Sequence, residues 1–424
     1  MKKALLFTLL ISLLSYTVYA GEGSDNYVKL GGAFRLNLVS TGYEQPSTAT
    51  NTYATLDTWR LNVDAKYSGV RLDFEYRFYP TFNTHFIHHG YLGYDINPSL
   101  NVQLGVTQVP FGNLSYNSHS WWFLIPYYLG LEDDYDMGLK FTWLPTDRLD
   151  IRAAYFRQAE PAGPSYGNAS FGGPAAGTYS YNVIPDEEGV LSASGATASI
   201  REMNQFNLRL AYLLFEGTTI GVSGQVKGLY NSVLQEITYG HALAAHVNSN
   251  FSNFNLKLQY TTYDYKAKDD AGAWLSRVQM GAYGDPYYND GVASRADVVT
   301  AGLSYTIPVN LGPVSAVLPY VNYSLMMKKG NYEHQGEYLP FTNSVMVVPG
   351  VMLTAGKIYT YIDLAMGKNQ PWLTDSFGMG LGKGHSYTDQ PADYYYNTGK
   401  AGMAVPLDKV KWNYRFNINI GYYF

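Results

Sequence analysis

Strict alternation of apolar and polar residues, in segments of about ten, is the feature that most constrains how this chain folds. Within residues 70–78 every second side chain is charged, at Arg71, Asp73, Glu75 and Arg77. Successive side chains of a strand point to opposite faces, so the pattern predicts strands with one apolar and one polar face. Soluble sandwiches and membrane barrels both contain such strands, and other features must distinguish them.

The connections between these segments alternate between tight turns and long polar loops. Strands are predicted at 27–39, 54–67, 70–79, 85–95, 100–109, 132–143, 149–157, 201–214, 218–229, 237–248, 253–264, 295–307, 314–327, 342–354, 357–367 and 409–424. Short periplasmic turns and long extracellular loops are typical of outer-membrane barrels. The sequence therefore predicts an all-β fold, a transmembrane antiparallel β-barrel of about 16 strands with both chain ends on the periplasmic side.

The end of the chain supports a barrel. Eight apolar residues alternate along the last predicted strand, at Val410, Trp412, Tyr414, Phe416, Ile418, Ile420, Tyr422 and Phe424. In a soluble protein, this strand would expose an unusually large apolar surface. The final Tyr422-Tyr423-Phe424 resembles the C-terminal signal read by the barrel-assembly machinery of Gram-negative bacteria. That resemblance implies the machinery as a partner and Phe424 as the assembly signal.

The first 20 residues have the features of an export signal. Lys2 and Lys3 precede an apolar stretch at 4–14, and small residues around Ala20 suit cleavage. We expect a signal peptide at residues 1–20 and one barrel domain at 21–424. The expected location is the bacterial outer membrane, with its lipid as a partner.

Composition excludes several classes of function. The chain is 16% aromatic and only 15% charged, with 41 Tyr, which suits aromatic girdles at two membrane interfaces better than a soluble domain. The absence of Cys excludes disulfides and thiolate catalysis. A net charge of −5 argues against nucleic acid as a partner. We expect no cofactor, and a barrel of this strand number leaves an aqueous lumen, so we expect a channel.

A motif at the end of the fifth predicted strand carries a resemblance to a known family. Residues 105–112 read Gly-Val-Thr-Gln-Val-Pro-Phe-Gly, between similar segments at 86–95 and 135–139. They resemble the phosphate-selective porin O and P family, in which Gly-Gln-x-x-x-Pro-Phe-Gly precedes an inward-folded third loop; here the Gln stands two positions later. The resemblance is specific over residues 86–156 and architectural elsewhere. It implies a homotrimeric 16-stranded channel with loop 110–131 folded inward as its constriction, but its phosphate-guiding arginines have no residue-by-residue match.

Aromatic rings and carboxylates are concentrated in this loop and just after it. The candidate constriction residues are Trp121, Trp122, Tyr127, Tyr128, Asp134 and Asp136. The rings could stack on sugar faces in a carbohydrate path, or they could hold the loop against the barrel wall or a neighbouring subunit. Together with Glu132 and Asp133, the two aspartates give an oxygen-rich set that would suit calcium, although a solvated acidic rim is the commoner arrangement.

Two groups raise the question of metal binding or catalysis. His85, His88 and His89 form the densest histidine group, but on a regular strand His88 and His89 point to opposite faces, so we expect no metal site. Residues 118–120 read Ser-His-Ser, which are residue types used by outer-membrane lipid-acting enzymes. Their spacing differs from those enzymes and no orienting partner is evident. We expect no enzyme, and a lipid-acting barrel is the alternative from another class.

The predicted inner face is basic although the chain is acidic. Alternation gives fourteen basic inward positions, at Lys29, Arg35, Arg60, Lys66, Arg71, Arg77, Lys140, Arg152, Arg209, Lys227, Lys257, Lys357, Lys411 and Arg415. The six acidic ones are Asp64, Asp73, Glu75, Asp136, Asp150 and Asp363. The main candidates for attracting anions are Arg35, Arg60, Arg71, Arg77, Lys140, Arg152 and Arg209. The residues expected opposite the constriction loop are Arg35, Arg60, Arg71, Arg77 and Arg152.

A charged wall of low dielectric constant focuses its field into the lumen, so this balance favours anions. The sequence therefore predicts a porin for passive diffusion of small hydrophilic solutes, with an anion preference and phosphate-type anions among the candidates. A carbohydrate-selective porin is the alternative within transport.

Overall fold

The computed structural model describes residues 26–45, 50–114, 116–163, 177–283, 285–286, 291–334, 337–370, 373, 380–382, 384 and 410–424, so the predicted signal segment lies outside the described residues. The predicted fold class is confirmed, because sixteen antiparallel strands form one closed barrel. The strands are β1 Tyr27–Gln45, β2 Thr50–Tyr67, β3 Val70–Tyr79, β4 Thr84–Asn97, β5 Leu100–Gln108, β6 Tyr135–Thr146, β7 Leu149–Ala159, β8 Ile200–Phe215, β9 Thr218–Asn231, β10 Glu236–Phe251, β11 Phe254–Asp264, β12 Arg295–Tyr305 with its continuation Ile307–Leu311, β13 Val314–Lys328, β14 Ser344–Ala355, β15 Ile358–Lys368 and β16 Asn413–Tyr423. No helix among these residues is long and apolar enough to cross a membrane.

The barrel closes between its first and last strands. β1 pairs with β2 on one side and with β16 on the other. At the seam, Gly32 N donates to Phe424 O at 3.0 Å, and Phe424 N donates to Gly32 O at 3.1 Å. Closure leaves no strand edge whose amides and carbonyls would face lipid unpaired.

Large apolar side chains cover the outer face. Leu104 is 57% exposed, Leu243 is 54% exposed and Phe206 is 52% exposed, each in the middle of its strand. The polar residues that alternate with them point inward. A closed barrel with an apolar exterior is the form in which strands cross the bacterial outer membrane, and this chain is an outer-membrane protein.

The two ends of the barrel differ, as the sequence predicts. Seven two-residue turns lie at one end, at 68–69, 98–99, 147–148, 216–217, 252–253, 312–313 and 356–357. Several need left-handed backbone, as at Ser68 and Gly69 with φ of 48° and 84°. Positive φ at both central residues matches the twist of a two-residue hairpin.

Three predicted strand starts are wrong by three or four residues. β2 begins at Thr50 rather than at 54. β6 begins at Tyr135 rather than at 132, because Val109 N donates to Asp134 O at 2.8 Å and closes the base of the preceding loop. β16 begins at Asn413 rather than at 409. Val410, predicted to face outward, is buried instead, because it lies before the alternating strand.

Bulges in two strands place consecutive residues on the inner face. The β1–β2 pairing skips Asp57, and both Asp57 and Thr58 are buried. The β3–β4 pairing skips His88 in the same way. An extra residue in one strand shifts the alternation by one position. The prediction that His88 and His89 point to opposite faces is therefore wrong, because the strand is not regular at this point.

Candidate functional site

The inward loop is the connection between β5 and β6, residues 109–134. At its centre a short 3-10 helix, Ile125–Leu129, contains Pro126 in its first turn and ends at Gly130, which has a φ of 64°. Proline at the start and glycine just after the end are typical of helical turns. All five helix residues are buried, so the loop is packed inside the barrel.

Strands β8 to β11 hold the first part of the inward loop. Gly112 N donates to Ser223 Oγ at 3.0 Å, and Asn113 N donates to Gln259 Oε1 at 2.9 Å. Arg209 Nε donates to Gly112 O at 2.8 Å. Gly112 has a φ of 60°, which other residues rarely adopt, and a Cβ there would lie within 2.8 Å of three atoms of the Gln259 side chain and displace it.

The next part of the loop contacts the last two strands. Trp121 N donates to Asp363 Oδ2 on β15 at 3.2 Å. The indole of Trp122 donates to Asn417 Oδ1 on β16. The loop therefore crosses the interior of the barrel, from β8–β11 to β15–β16.

The aromatic residues of the loop pack mainly against other rings. Phe123 stacks on Tyr127 with ring centroids 3.7 Å apart, and Tyr127 OH donates to Tyr179 O at 2.8 Å. Tyr127 and Tyr128 are 1% and 2% exposed. Most of the surface of these two rings is thus used to hold the loop in place, whereas Trp121 is only partly buried.

The carboxylates of Glu132, Asp134 and Asp136 are buried and that of Asp133 is partly buried, so the solvated acidic rim is wrong. Asn117 donates from Nδ2 to Glu132 Oε2 at 2.5 Å, and Gln108 Nε2 donates to Asp133 Oδ1 at 2.8 Å. Burial raises the pKa of Glu132 to about 7, although the hydrogen bonds from Asn117 oppose this shift. The loop leaves little room for water around these groups because it packs against the wall.

Asp134 and Asp136 lie against β8 and β9 rather than among the lining residues of the central cavity described below. Gln205 Nε2 donates to Asp136 Oδ2 at 3.0 Å, and Lys227 Nζ pairs with Glu202 at 2.7 Å. Burial raises the pKa of Asp134, the Lys227 ammonium opposes this shift, and the Glu202 carboxylate adds to it.

A central cavity of about 480 Å³ lies between the inward loop and the opposite wall. Its basic lining residues are Arg35, Arg60, Arg77, Lys257 and Arg415, and its acidic lining residue is Asp57. The loop contributes rings from four predicted residues, Trp121, Trp122, Tyr127 and Tyr128. Cavities of this size accommodate small ligands.

Carboxylates balance only part of this positive charge. Arg35 pairs with Asp57 at 2.7 Å. Arg77 Nε contacts Glu75 Oε1, and Arg60 lies 4.0 Å from the same oxygen. The other two cationic groups, those of Lys257 and Arg415, contact backbone carbonyls and an aromatic ring.

Lys257 Nζ donates to the backbone carbonyls of Tyr116 and Ser118, at 2.7 and 3.2 Å. The guanidinium of Arg415 lies over the Trp122 ring, 4.6 Å from its centroid. Among the described residues, five cations therefore line the cavity; Asp57 and Glu75 lie within 4.0 Å of three of them, and Glu132 acts on Lys257 at longer range.

The other predicted basic residues lie away from this cavity. Arg152 and Arg209 both pair with Asp150 and line a second cavity of about 730 Å³ near the short turns. Lys140 is buried and donates to the Gln108 carbonyl at 2.9 Å. Arg71 is half exposed and pairs with carboxylates on its own wall. The expectation that Arg71 and Arg152 stand opposite the loop is wrong, because Arg71 lies beside the short turn at 68–69 and Arg152 near the short turn at 147–148.

Sequence reasoning missed some charged residues of the inner wall. Asp57 and Glu202 face inward because bulges shift the alternation around them. Lys257 and Arg415 were expected to face inward, but nothing in the sequence places them beside the loop. Their position depends on contacts between residues more than a hundred positions apart in the chain.

The Ser-His-Ser segment faces the interior. His119 Nε2 lies 2.6 Å from Asn255 Oδ1, and its Nδ1 lies 3.1 Å from Asn322 Oδ1. Ser120 Oγ donates to Trp122 O at 2.8 Å. A nucleophile and its base must lie within hydrogen-bonding distance of each other, and these contacts instead engage both ring nitrogens with amides.

No family model and no curated protein sequence matches this chain. Solved structures match its fold. The outer-membrane channel DcaP of Acinetobacter baumannii has a TM-score of 0.53 at 12% identity, covering 96% of this chain and 100% of that one. OmpT of Vibrio cholerae has a TM-score of 0.51 at 12% identity, and the match covers 95% of this chain and 99% of that one. An anion-selective porin from Comamonas acidovorans has a TM-score of 0.50 at 12% identity, and the match covers 94% of this chain and 100% of that one. At these identities the likeness establishes the fold of outer-membrane channels, and the phosphate-selective family is not established.

Proposed function

We propose that this protein is a passive diffusion channel of the outer membrane that prefers small anions. The charge of the central cavity carries this proposal. Among the residues that the structure describes, five cationic side chains and one carboxylate, that of Asp57, line this cavity, and Glu75 lies behind two of the arginines. A solute that passes between the inward loop and the wall meets this excess of positive charge.

The position of these charges makes them effective. Low-dielectric walls focus a field into a narrow passage and raise the local concentration of the matching ion. Charges on loops in bulk water are screened within about 8 Å at physiological ionic strength. The acidic net charge of the chain, −5, therefore has less influence on a permeating ion than the cavity does. Inorganic phosphate is among the anions of suitable size.

Two similar structures support parts of the proposal. One is named as an anion-selective porin. Another is the trimer form of OmpT from Vibrio cholerae, with a TM-score of 0.50 at 13% identity, covering 95% of this chain and 100% of that one. The homotrimer implied by the sequence resemblance belongs to the same proposal.

A carbohydrate channel is the second candidate, and the cavity favours it less. Stacking on sugars needs open ring faces. Tyr127 packs on Phe123, and a guanidinium covers Trp122. Trp121 also lies beneath a guanidinium, that of Arg35, at 5.6 Å. These ring faces contact cationic side chains or other rings, which leaves less ring surface for stacking on sugars.

Uptake into proteoliposomes tests the proposal. At low ionic strength we expect inorganic phosphate to enter faster than a neutral pentose, because only the anion is attracted by the cavity. Equal rates, or faster entry of the pentose, would favour the carbohydrate channel. Entry of neither solute would contradict a diffusion channel.

A further inference from the structure

The bulge in β4 creates a group of side chains that a regular strand could not form. Glu75 on β3 pairs with His89, while Tyr76 pairs with Ile87, so His88 is the extra residue. Both imidazoles consequently face inward beside the Glu75 carboxylate. His88 is 3% exposed, and His89 is partly buried.

The three side chains are close enough to share one ion. His88 Nδ1 lies 2.7 Å from His89 Nδ1 and 3.7 Å from Glu75 Oε1. One ligand atom from each residue fits within a span of 4.8 Å. Ligands that bind a metal at about 2.0 to 2.2 Å lie about 3 to 4 Å apart, so small side-chain movements suffice.

A neighbouring carboxylate orients one of the ligands. His89 Nε2 lies 3.1 Å from Asp73 Oδ1, and Tyr91 OH donates to Asp73 Oδ2 at 2.9 Å. The Asp73 carboxylate favours the tautomer with the proton on Nε2, which directs the lone pair of His89 Nδ1 toward His88. Metal-binding histidines commonly donate their other ring N–H to a carboxylate in this way.

We propose that Glu75, His88 and His89 form a binding site for a divalent transition metal on the inner wall of the barrel. Two imidazole nitrogens and one carboxylate oxygen suit Zn²⁺, Ni²⁺ or Cu²⁺ better than Ca²⁺ or Mg²⁺, which take oxygen ligands. The remaining coordination positions are filled by water or an anion from the lumen. This site does not depend on the proposed transport function.

Nearby arginines limit the affinity. Arg77 Nε contacts Glu75 Oε1, and Arg60 lies 4.0 Å from it. The two guanidinium groups therefore compete with the ion for the Glu75 carboxylate, and their positive charges repel it. We therefore expect weaker binding than at a structural zinc site.

Metal binding would also affect transport, because a bound divalent ion adds positive charge beside the cavity that Arg60 and Arg77 line.

Equilibrium dialysis of the folded barrel against micromolar Zn²⁺, followed by metal analysis, tests the site. We expect one Zn²⁺ per chain in the wild type, and affinity weaker by about 10-fold or more in His89→Gln. His246→Gln is the matched control, because His246 is also buried and faces inward but contacts Arg209 at 3.1 Å. It should bind Zn²⁺ like the wild type.

A second measurement needs no variant. Co²⁺ added to the wild-type protein should give visible absorption with nitrogen-ligand character, and Zn²⁺ should remove it. Absence of this absorption, absence of Zn²⁺ from the wild type, or equal binding by His89→Gln and the wild type would overturn the proposal. Heat-dependent mobility on a denaturing gel shows whether each variant has folded.

Discussion

At the scale of single residues, the inner wall combines ion pairs with an excess of cations. Glu75 and Arg77 are the most enclosed of these pairs near the cavity, with side chains 9% and 4% exposed. Asn62 Nδ2 donates to Glu75 Oε2 at 2.6 Å, and Arg60 lies 4.0 Å from Oε1. A buried carboxylate needs such partners, because its desolvation is otherwise uncompensated.

Replacing Arg77 with Gln should therefore destabilise the barrel. We expect a loss of about 3 kcal/mol in the free energy of unfolding, near the lower end for a broken buried pair because Arg60 and Asn62 remain. Denaturant unfolding in lipid measures it. Lys257→Gln is the control, since Lys257 donates to backbone carbonyls and acts on the buried Glu132 carboxyl only at longer range, so we expect a smaller loss. Equal losses in the two variants would contradict this account of the wall.

At the scale of elements, strands could be predicted and the course of the inward loop could not. Period-two alternation encodes each strand locally, and most predicted boundaries fall within a few residues of the observed ones. A bulge adds one residue without changing composition, so the inward positions of Asp57 and His88 are invisible in the pattern. The contact between Asn113 and Gln259 joins residues 146 positions apart, and no local signal specifies it.

The stability of the barrel should depend on pH through one buried carboxyl group of the inward loop and one just after β7. Burial raises the pKa of Glu132 to about 7 and that of Glu160, just after β7, to about 8. The Asp133 carboxylate adds to the first shift and Lys257 opposes it, while the Asp134 carboxylate adds to the second. A raised pKa means that the folded state favours the protonated form. The contribution to stability is complete below the ordinary pKa and is lost as pH rises through about 7 to 8.

We therefore expect the thermal unfolding temperature to fall as pH rises from about 5 to about 9. In the double variant Glu132→Gln, Glu160→Gln this fall should be smaller, because neither amide titrates. Glu216→Gln, in an exposed turn, is the control and should keep the wild-type dependence. A double variant with an unchanged pH profile would show that these two groups do not control it.

At the scale of the whole molecule, Phe424 takes part in the closure of the barrel. Phe424 exchanges two backbone hydrogen bonds with Gly32, and its side chain is 51% exposed toward the lipid face. The sequence identified the barrel from alternation, turn asymmetry and this terminal aromatic. It could not reveal the seam hydrogen bonds, because they join the two ends of the chain.

Two variants separate the roles of Phe424. Deleting it removes the seam hydrogen bonds and the ring, whereas Phe424→Ala removes only the ring. If the ring is the assembly signal, both variants should give much less folded barrel in the outer membrane, measured by heat-dependent gel mobility. If only the deletion lowers the amount of folded barrel, the effect comes from the seam hydrogen bonds. If both variants give wild-type amounts of folded barrel, Phe424 has neither role.

The reversal potential of the channel in a KCl gradient across a planar bilayer tests the central claim most directly. The claim is that the cations around the central cavity decide which ion passes. We predict a potential whose sign reports chloride over potassium, and a smaller preference at high salt, where the Debye length falls to about 3 Å at 1 M. Lys257→Glu should reduce the preference further, because it reverses one of the positive charges that line the cavity. A potential reporting potassium over chloride at low salt would contradict the account.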